Sequence, residues 1–302
     1  MLILVGPTAS GKTGTAIRLA RYFHTEIISA DSRQFFTELE AGTAKPSRKQ
    51  LAEAPHHFIN SLSIIQSYNA GKFAGDFNVL LKELFVKHDV VIMTGGSGLY
   101  IDAAVNGIDD LPPADDKIRK SLKDSYRENG IEYLQQRLYE LDPVTAARTE
   151  LSNPRRLMRA LEICIGTGRP YSEMITHQKK SNDFEAVYIG MEIPRPQLYE
   201  RIDARVDAMI ANGLKEEVKS LLSYKDHAAM QTVGYKELVE WLEGKCGEEE
   251  AIEKIKQHTR NYAKRQMTWF RKNKDITWLP FDDYEKIQAF AGSVIRNILP
   301  SH

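Results

Sequence analysis

The sequence predicts an α/β protein: a parallel sheet with helices on both faces, carrying a helical insertion. Three observations predict it. Short apolar runs alternate with amphipathic stretches over the first hundred or so residues, which is the pattern of a parallel sheet. A glycine-rich loop ending in a lysine follows the first run. From Lys117 to about Lys180 no strand pattern occurs. At 302 residues the chain is long enough to bury a substantial core, in one large domain or in a core with a smaller one attached. Its composition, 42% hydrophobic and 27% charged, is that of an ordinary globular protein, and no apolar run approaches the about 20 residues that cross a bilayer. No membrane partner is expected. Cys164 and Cys246 are too few for a disulfide framework or a cysteine-rich zinc site, which fits a reducing compartment. Residue 1 already opens an apolar run without a leader pattern, so the expected location is cytoplasmic.

Each element follows in order. "LILV" reads as a buried strand and Lys12 to Tyr22 as the helix after it. "EIISA" is a second strand and "DVVIMTGG" a third, preceded by an amphipathic stretch around residues 73 to 87. After Gly107 the character changes. "DDLPPADD" is a proline-punctuated acidic hinge, and the stretch beyond it reads as helices broken at "ENG", "LDP", "SNP" and "GTGRP". Strand character returns at "EAVYIGMEI" and again at the short "DITWLP"; the rest is helical. The expected division is a core of residues 1–112 and 183–302, with carboxyl-terminal helices, and a helical insertion domain of residues 113–182. His56 and His57 are adjacent, cannot share a helical metal-binding face, and read as loop residues.

Gly6-x-x-x-x-Gly11-Lys12-Thr13 stands between a predicted strand and a predicted helix, the context that makes this spacing a phosphate-binding loop of the P-loop NTPase type. Backbone N–H groups along Gly6, Thr8, Ala9, Ser10 and Gly11 converge on phosphate oxygens at a helix N-terminus. Lys12 adds a positive charge, and the Thr13 hydroxyl is offered to Mg²⁺. In nucleotide hydrolases of this type an acid at the end of another apolar strand helps hold the metal. "VVIM" ends instead in Thr94, Gly95, Gly96, Ser97 and Gly98. The strand through Ile27 and Ile28 does end in an acid, Asp31, followed by Ser32, Arg33 and Gln34. Three roles stand open for Asp31: metal ligand, general base, or cap of its own turn.

Formal net charge is zero, but its distribution is uneven. Residues 254–274 hold Lys254, Lys256, Arg260, Lys264, Arg265, Arg271, Lys272 and Lys274 with no acid among them, just after a glutamate-rich stretch ending at Glu253. This is either a salt-bridged helix pair or a basic face for phosphates. Lys256, Arg260 and Lys264 share one helical face while Ala263, Met267 and Phe270 line another. Tyr262 and Trp269 are core aromatics or base-stacking platforms. Asn153-Pro154 starts a helix with Arg155, Arg156 and Arg159 on its first two turns and Leu157, Met158 and Leu161 toward a core.

In combination, "GPTASGKT", "SADSRQF", "GTAKP", "GGSGLY", "NPRRLMRALE", "QTVGYKE" and "TRNYAKRQMTWFRK" resemble the tRNA dimethylallyltransferase (tRNA isopentenyltransferase) family of bacterial type, in order from residue 5 to about residue 275. The resemblance implies transfer of a dimethylallyl group from dimethylallyl diphosphate to the exocyclic amine of adenosine at tRNA position 37, releasing diphosphate. It implies that the loop from Gly6 to Thr13, with Arg201 of "YERIDARVDAM", holds the diphosphate, and that Mg²⁺ is the cofactor. Lys12, Thr13 and Arg201 then serve catalysis beside Asp31 as general base, a role worth 10²–10⁴-fold. Asp31, Ser32, Arg33, Gln34 and Ser97 would meet the entering nucleotide; Ser97 stands where the family more often has threonine. Arg119, Arg155, Arg156 and Arg159, with Arg260 and Lys264 of the basic stripe, would meet the tRNA, whose target base must leave its stack. The expected partner is an anticodon stem-loop with adenosines at positions 36 and 37, bound by a monomer. For "QTVGYKE" only a structural account is available, in which Gly234 permits close backbone approach before a helix. Residues alone would give Arg201 a surface ion pair with Glu200 or Asp203.

Three other readings compete. A small-molecule kinase of the P-loop type requires ATP and leaves the basic carboxyl-terminal helix without a role. A prenyltransferase acting on free adenine nucleotides has no need of RNA-facing arginines. An RNA-binding module without catalysis has no need of Lys12, Thr13 and Asp31 together.

Overall fold

Five short, mainly apolar segments and the pair His56–His57 assemble into one all-parallel sheet. The computed structural model describes residues 1–109, 111–113, 115–176 and 182–299; Asp110 and Ala114 of the acidic hinge lie outside them. In chain order come β1 (Leu2–Val5), α1 (Lys12–Tyr22), β2 (Ile27–Ser29), α2 (Arg48–Glu53), β3 (His56–His57), α3 (Ala70–Lys87), β4 (Ile92–Gly95) and α4 (Gly98–Asn106). Helices α5 (Asp116–Leu141), α6 (Pro143–Arg148), α7 (Pro154–Thr167) and α8 (Tyr171–Met174) follow. The chain then runs through β5 (Val187–Glu192), α9 (Arg195–Ala211), α10 (Leu214–Ser220), α11 (Tyr235–Leu242), α12 (Glu248–Phe270), β6 (Ile276–Pro280) and α13 (Tyr284–Ile298). Two compact units result, Met1–Asn106 with Ser181–His302, and Gly107–Lys180.

The sheet order is β3-β2-β4-β1-β5-β6, with β1 central between β4 and β5. "LILV" has no polar residue because both of its faces are covered. Ile3 and Val5 join Ile28, Met93, Phe73 and Phe77 in one buried cluster. Leu2 and Leu4 point the other way, to Ile17 and Leu19 of α1 and Ile287 of α13. Each such side chain removed from water contributes about 1.5–3 kcal/mol. The expectation that His56 and His57 lie in a loop is corrected: they pair with Ile27 and Ile28 as an edge strand. Two residues are too few to show a period. His57 and His88 also set their Nε2 atoms 2.6 and 3.2 Å from the Glu26 carboxylate, which ties this edge down.

In the helical unit, Leu122, Leu134, Leu138, Leu157 and Leu161 form the core. Gly130, with φ 73°, breaks α5 at the "ENG" signal. Asn153 caps α7 with Pro154 in its first turn. Asp142 caps α6 through the Thr145 N–H at 2.9 Å and accepts from the Ser172 N–H at 2.7 Å, joining α6 to α8. Among the described residues this unit contains no strand, and no helix of the chain is long and apolar enough to cross a membrane.

α9 and α12 pack side by side through Leu198, Ile202 and Ala263. Their charges match in register: Asp203 meets Arg260 at 2.6 Å and Asp207 meets Lys256 at 2.8 Å. Two of the three cations of the basic stripe are therefore spent between helices, and Lys264 alone of the three stays exposed without an ion pair among the described residues.

Candidate active site

The loop after β1 bends through three residues at positive φ: Gly6 at 156°, Ala9 at 63° and Gly11 at 91°. That path leaves the first N–H groups of α1 without intrahelical partners at the carboxyl end of the sheet, where a parallel fold receives anions. Ser10 Oγ is buried there and has no hydrogen-bond partner in the protein. Lys12 Nζ donates to the Pro7 carbonyl at 2.6 Å, which holds its stem along the loop.

Sequence reasoning did not single out Gln266, which locks the loop in place. Its Oε1 accepts from the Thr8 N–H at 2.8 Å and its Nε2 donates to the Gly96 carbonyl at 2.9 Å. Its place inside "YAKRQMTWF" was the available signal. The glycines of "GGSG" now have a reason. A Cβ on Gly96 would lie 2.1 Å from Gln266 Nε2, and one on Gly98 would lie 2.3 Å from the Trp269 ring. Trp269 packs there and donates to Asp102 at 2.9 Å, so of its two sequence readings the packing role is the one observed.

A cavity of about 550 Å³ opens over the loop, wholly within the α/β unit. Thr8 to Thr13, Asp31, Arg33, Gln34, Arg201 and Tyr262 all line it. Asp31 Oδ1 accepts from the Arg33 N–H at 3.0 Å and its carbonyl from the Gln34 N–H at 3.0 Å. The residue caps its own turn with one oxygen while facing the cavity. Gln34 accepts from Ser29 at 3.0 Å and donates to the Ala44 carbonyl at 3.1 Å. Ser32 and Ser97 do not line the cavity. They brace it from behind, through Ser32 N–H to Ser97 Oγ at 3.1 Å and hydroxyl to hydroxyl at 3.2 Å.

The charges are unbalanced in favour of cations. Arg201 donates from Nε to the Ala9 carbonyl at 2.8 Å and lies over the Phe281 ring, 5.2 Å from its centroid. Neither ion pair that its neighbours in sequence suggest is made; Asp203 is taken by Arg260. Arg205, a residue that sequence reasoning missed, lines the same cavity one helical turn on; its spacing of four from Arg201 was the signal. Burial lowers the Lys12 ammonium to about 7, with Asp31 opposing the shift and Arg205 adding to it. Burial also lowers Arg33, against the pull of Tyr262 and Asp31, and Arg205, against the pull of Asp31. The Tyr262 hydroxyl is raised, by burial first and then by Asp31.

"GTAKP" and "QTVGYKE" meet at the wall of this cavity. Tyr235 is fully buried, donates to Glu217 at 2.6 Å, and packs so tightly that a Cβ on Gly42 would lie 2.5 Å from its ring. Glu217 in turn accepts from the N–H groups of Glu40 and Ala41 at 3.0 and 2.8 Å. Gly42, Thr43 and Ala44 are thereby fixed as lining. The expectation for Gly234 is corrected: a Cβ there has no neighbour nearer than 3.8 Å, and what requires glycine is its φ of 99° at the start of α11.

The remaining expected residues belong to the helical unit and are not among the lining residues. Arg119 grips the buried Glu162 at 2.7 and 3.1 Å, and Arg159 reaches the same carboxylate at 3.5 Å and the Pro112 carbonyl at 3.0 Å. Arg156 lies 3.7 Å from Glu150. Arg155 is exposed and has no ion pair among the described residues.

A parallel sheet with a glycine-rich loop at its carboxyl edge and a cation-lined cavity above it defines an α/β fold of the P-loop NTPase-like kind. The family model described as IPP transferase matches residues 34–273, and the chain belongs to that family. It is 50% identical to a tRNA dimethylallyltransferase of Christiangramia forsetii, over 95% of each chain. Among solved structures it is similar to a tRNA isopentenylpyrophosphate transferase of Bacillus halodurans, with 33% identity, TM-score 0.72, and 98% and 96% of the two chains covered. A eukaryotic dimethylallyltransferase acting on tRNA matches at 26% identity and TM-score 0.80, over 98% of this chain and 77% of the other.

Proposed function

We propose that this chain transfers a dimethylallyl group from dimethylallyl diphosphate to the exocyclic amine of adenosine 37 in tRNA and releases diphosphate. One observation carries the reading. The anion cradle and the Asp31 carboxylate face the same cavity, so a diphosphate and a nucleophile can be held together there. The cradle amides, Lys12 and Arg201 hold the diphosphate and take up the charge that grows on it as the allylic C–O bond breaks. The adenine amine, weakened by delocalisation into the ring, gives its proton to the oxygen of Asp31 that the turn leaves free. Arg33, Gln34 and Tyr262 line the space beside Asp31 where the base would enter, with Ser32 and Ser97 behind.

Mg²⁺ suits this site. Thr13 lies in the cavity lining beside Lys12 and together with Asp31, and Mg²⁺ is characteristically held by few protein oxygens together with phosphates and waters. Thr13 Oγ1 would be its protein ligand, and the ion would supply charge neutralisation on the diphosphate. The helical unit, with Arg119, Arg155, Arg156 and Arg159, and Lys264 and Arg260 of α12, would contact the tRNA. The paired arginines retain donors for phosphate, because a guanidinium has five N–H groups. We place the enzyme in the cytoplasm as a monomer, since tRNA offers no two-fold symmetry to match.

The test is incubation with Mg²⁺, labelled dimethylallyl diphosphate and unmodified tRNA bearing adenosines 36 and 37, with ATP in a parallel reaction. Label in tRNA without ATP, lost in Asp31→Ala, is expected. Label on free adenine nucleotides, or phosphate released from ATP, would replace the proposal with the nucleotide prenyltransferase or the kinase.

A further inference from the structure

The seam between α9 and α12 changes character along its length. On α9 the positions four apart are Asp207, Asp203, Tyr199 and Arg195, which share one side of the helix. The first two meet Lys256 and Arg260 of α12 and are neutralised there. At the third step the acid gives way to Tyr199, whose ring centroid lies 6.0 Å from the Arg260 guanidinium carbon, and at the fourth to a cation. α12 does not change with it: Lys264 and Arg271 carry its positive charge past the last acid of α9. The seam therefore runs out of acids while cations remain.

Where the acids stop, the seam opens into a second cavity of about 690 Å³, within the span that ligand pockets occupy. Arg195, Lys264 and Arg271 line it, all exposed and none in an ion pair among the described residues. Leu198 and Ala263 give it an apolar lining, to which two half-buried rings, Tyr199 and Phe281, are added. Two carboxylates lie at the strand ends, Glu192 closing β5 and Asp282 just past β6, and the Phe281 N–H donates to the Glu192 carbonyl at 3.0 Å. This cavity and the first have a wall in common. Ala9 of the loop, Tyr199 and Phe281 all pack against the buried cluster that holds Leu198 and Ala263, and Arg201, which lines the first cavity, lies over the Phe281 ring.

The lining offers one group for each part of a nucleotide. Unpaired cations suit a phosphate, aromatic rings suit a base face, and a carboxylate accepts from an exocyclic amine such as N4 of cytosine. A site for a bare anion has no use for the carboxylates, and a site for an apolar ligand has no use for the cations. We infer that this groove holds one nucleotide of the tRNA strand beside the target adenosine, with its base stacked on Tyr199 and its phosphate on Lys264 and Arg271. This rests on the tRNA acceptor proposed above. The common wall favours a strand of RNA over a free nucleotide: a strand whose target base occupies the first cavity brings a neighbouring nucleotide to the second. Held there, the strand gains affinity without contact to the reacting atoms, so Tyr199 serves binding and not the chemical step.

The fluorescent base 2-aminopurine is placed at each unpaired position of the anticodon loop in turn, the target excepted. Its emission is read on binding to the wild-type chain, Tyr199→Ala, Tyr199→Phe and the double variant Lys264→Gln, Arg271→Gln. One position is expected to be quenched by the wild type and by Tyr199→Phe and to regain its emission in Tyr199→Ala. With that change tRNA binding should weaken roughly 5- to 150-fold, as loss of one stacking ring does. The double variant alters only exposed side chains and should reduce the salt slope of tRNA binding by about 1.4–2. Affinity for inorganic diphosphate, held in the loop, should stay as it is throughout. If no loop position answers to Tyr199, or if the Tyr199→Ala loss is matched by a fallen thermal midpoint while the double variant keeps the wild-type slope, the groove is overturned. Equal quenching of free 2-aminopurine riboside monophosphate would make the occupant a free nucleotide and overturn the RNA assignment. If the wild-type chain binds no tRNA, the proposed transfer falls together with the groove; if it binds and quenches through Tyr199 yet transfers no label, the transfer alone falls.

Discussion

The arginines of the two units live in opposite electrostatic states. In the α/β unit Arg33, Arg201 and Arg205, with Lys12, line a cavity in which, among the described residues, Asp31 is the one carboxylate and none of the four cations is in an ion pair. In the helical unit Arg119 and Arg159 share the buried Glu162, and Arg156 leans on Glu150. A cavity that must grip a small, highly charged ligand and release it altered gains from fixed cations that meet no competing acid. On the proposed reading, a surface that meets a long polyanion needs only donors to share, and its internal pairs keep the helices together.

The largest effect should come from Asp31→Asn, which keeps the turn but removes the acceptor of charge. Single-turnover transfer should fall about 10²–10⁴-fold with donor binding preserved; a fall below tenfold would break the contrast at its centre. Next comes Glu162→Ala. Losing a buried partner costs about 3–5 kcal/mol, but Arg119 is 43% exposed, so about 2 kcal/mol is expected. Amide exchange along α5 and α7 would read it, and unchanged protection would show that the pairs hold nothing. Tyr235→Phe removes the hydroxyl bonded to Glu217 and should cost about 1 kcal/mol. Because Glu217 orders the 42–44 wall, the KM for tRNA should rise while diphosphate binding stays as it was.

A smaller effect is expected at the sheet edge. Burial raises the Glu26 carboxyl, but the hydrogen bonds with His57 and His88 outweigh it and leave the group below its ordinary value. A depressed carboxylate contributes stability above its unfolded pKa, about 4.3, and loses it as pH falls through the folded value. Acid titration of the thermal midpoint should therefore lose part of its low-pH slope in Glu26→Gln. Smallest of all, Arg155→Ala removes one exposed cation, and the salt slope of tRNA binding should shrink by about 0.7–1. No change in slope would take Arg155 off the RNA surface.

Much of this was legible beforehand for identifiable reasons. The phosphate loop, α1 and the buried strands announce themselves through local spacing and apolar runs, and Asn153-Pro154 announces α7. What escaped depended on pairing at a distance. Gln266 gains its role from Thr8 and Gly96, residues far away in sequence. The basic stripe stayed open between a salt-bridged helix pair and a face for phosphates because α12 gives no sign that α9 will present acids to it. His56 and His57 became a strand through the partner that Ile27 and Ile28 offer, not through any preference of their own. Tyr235 and Gly42 explain each other only once in contact.

The place of β1 in the sheet bears on how the protein is made. Leu2 pairs with Ile92 on one side and Val187 on the other, so the strand that carries the phosphate loop is synthesised long before either neighbour. The helical unit must leave the ribosome before β5 can close the sheet. Closing so long a loop is entropically costly, and parallel pairing of this range is intrinsically slow. During that interval "LILV" has β4 available on one side but lacks its β5 neighbour on the other, an open apolar edge of the kind through which nascent chains aggregate. The cavity wall supplied by Arg201, Tyr262 and Gln266 is therefore complete only when the last third of the chain has arrived.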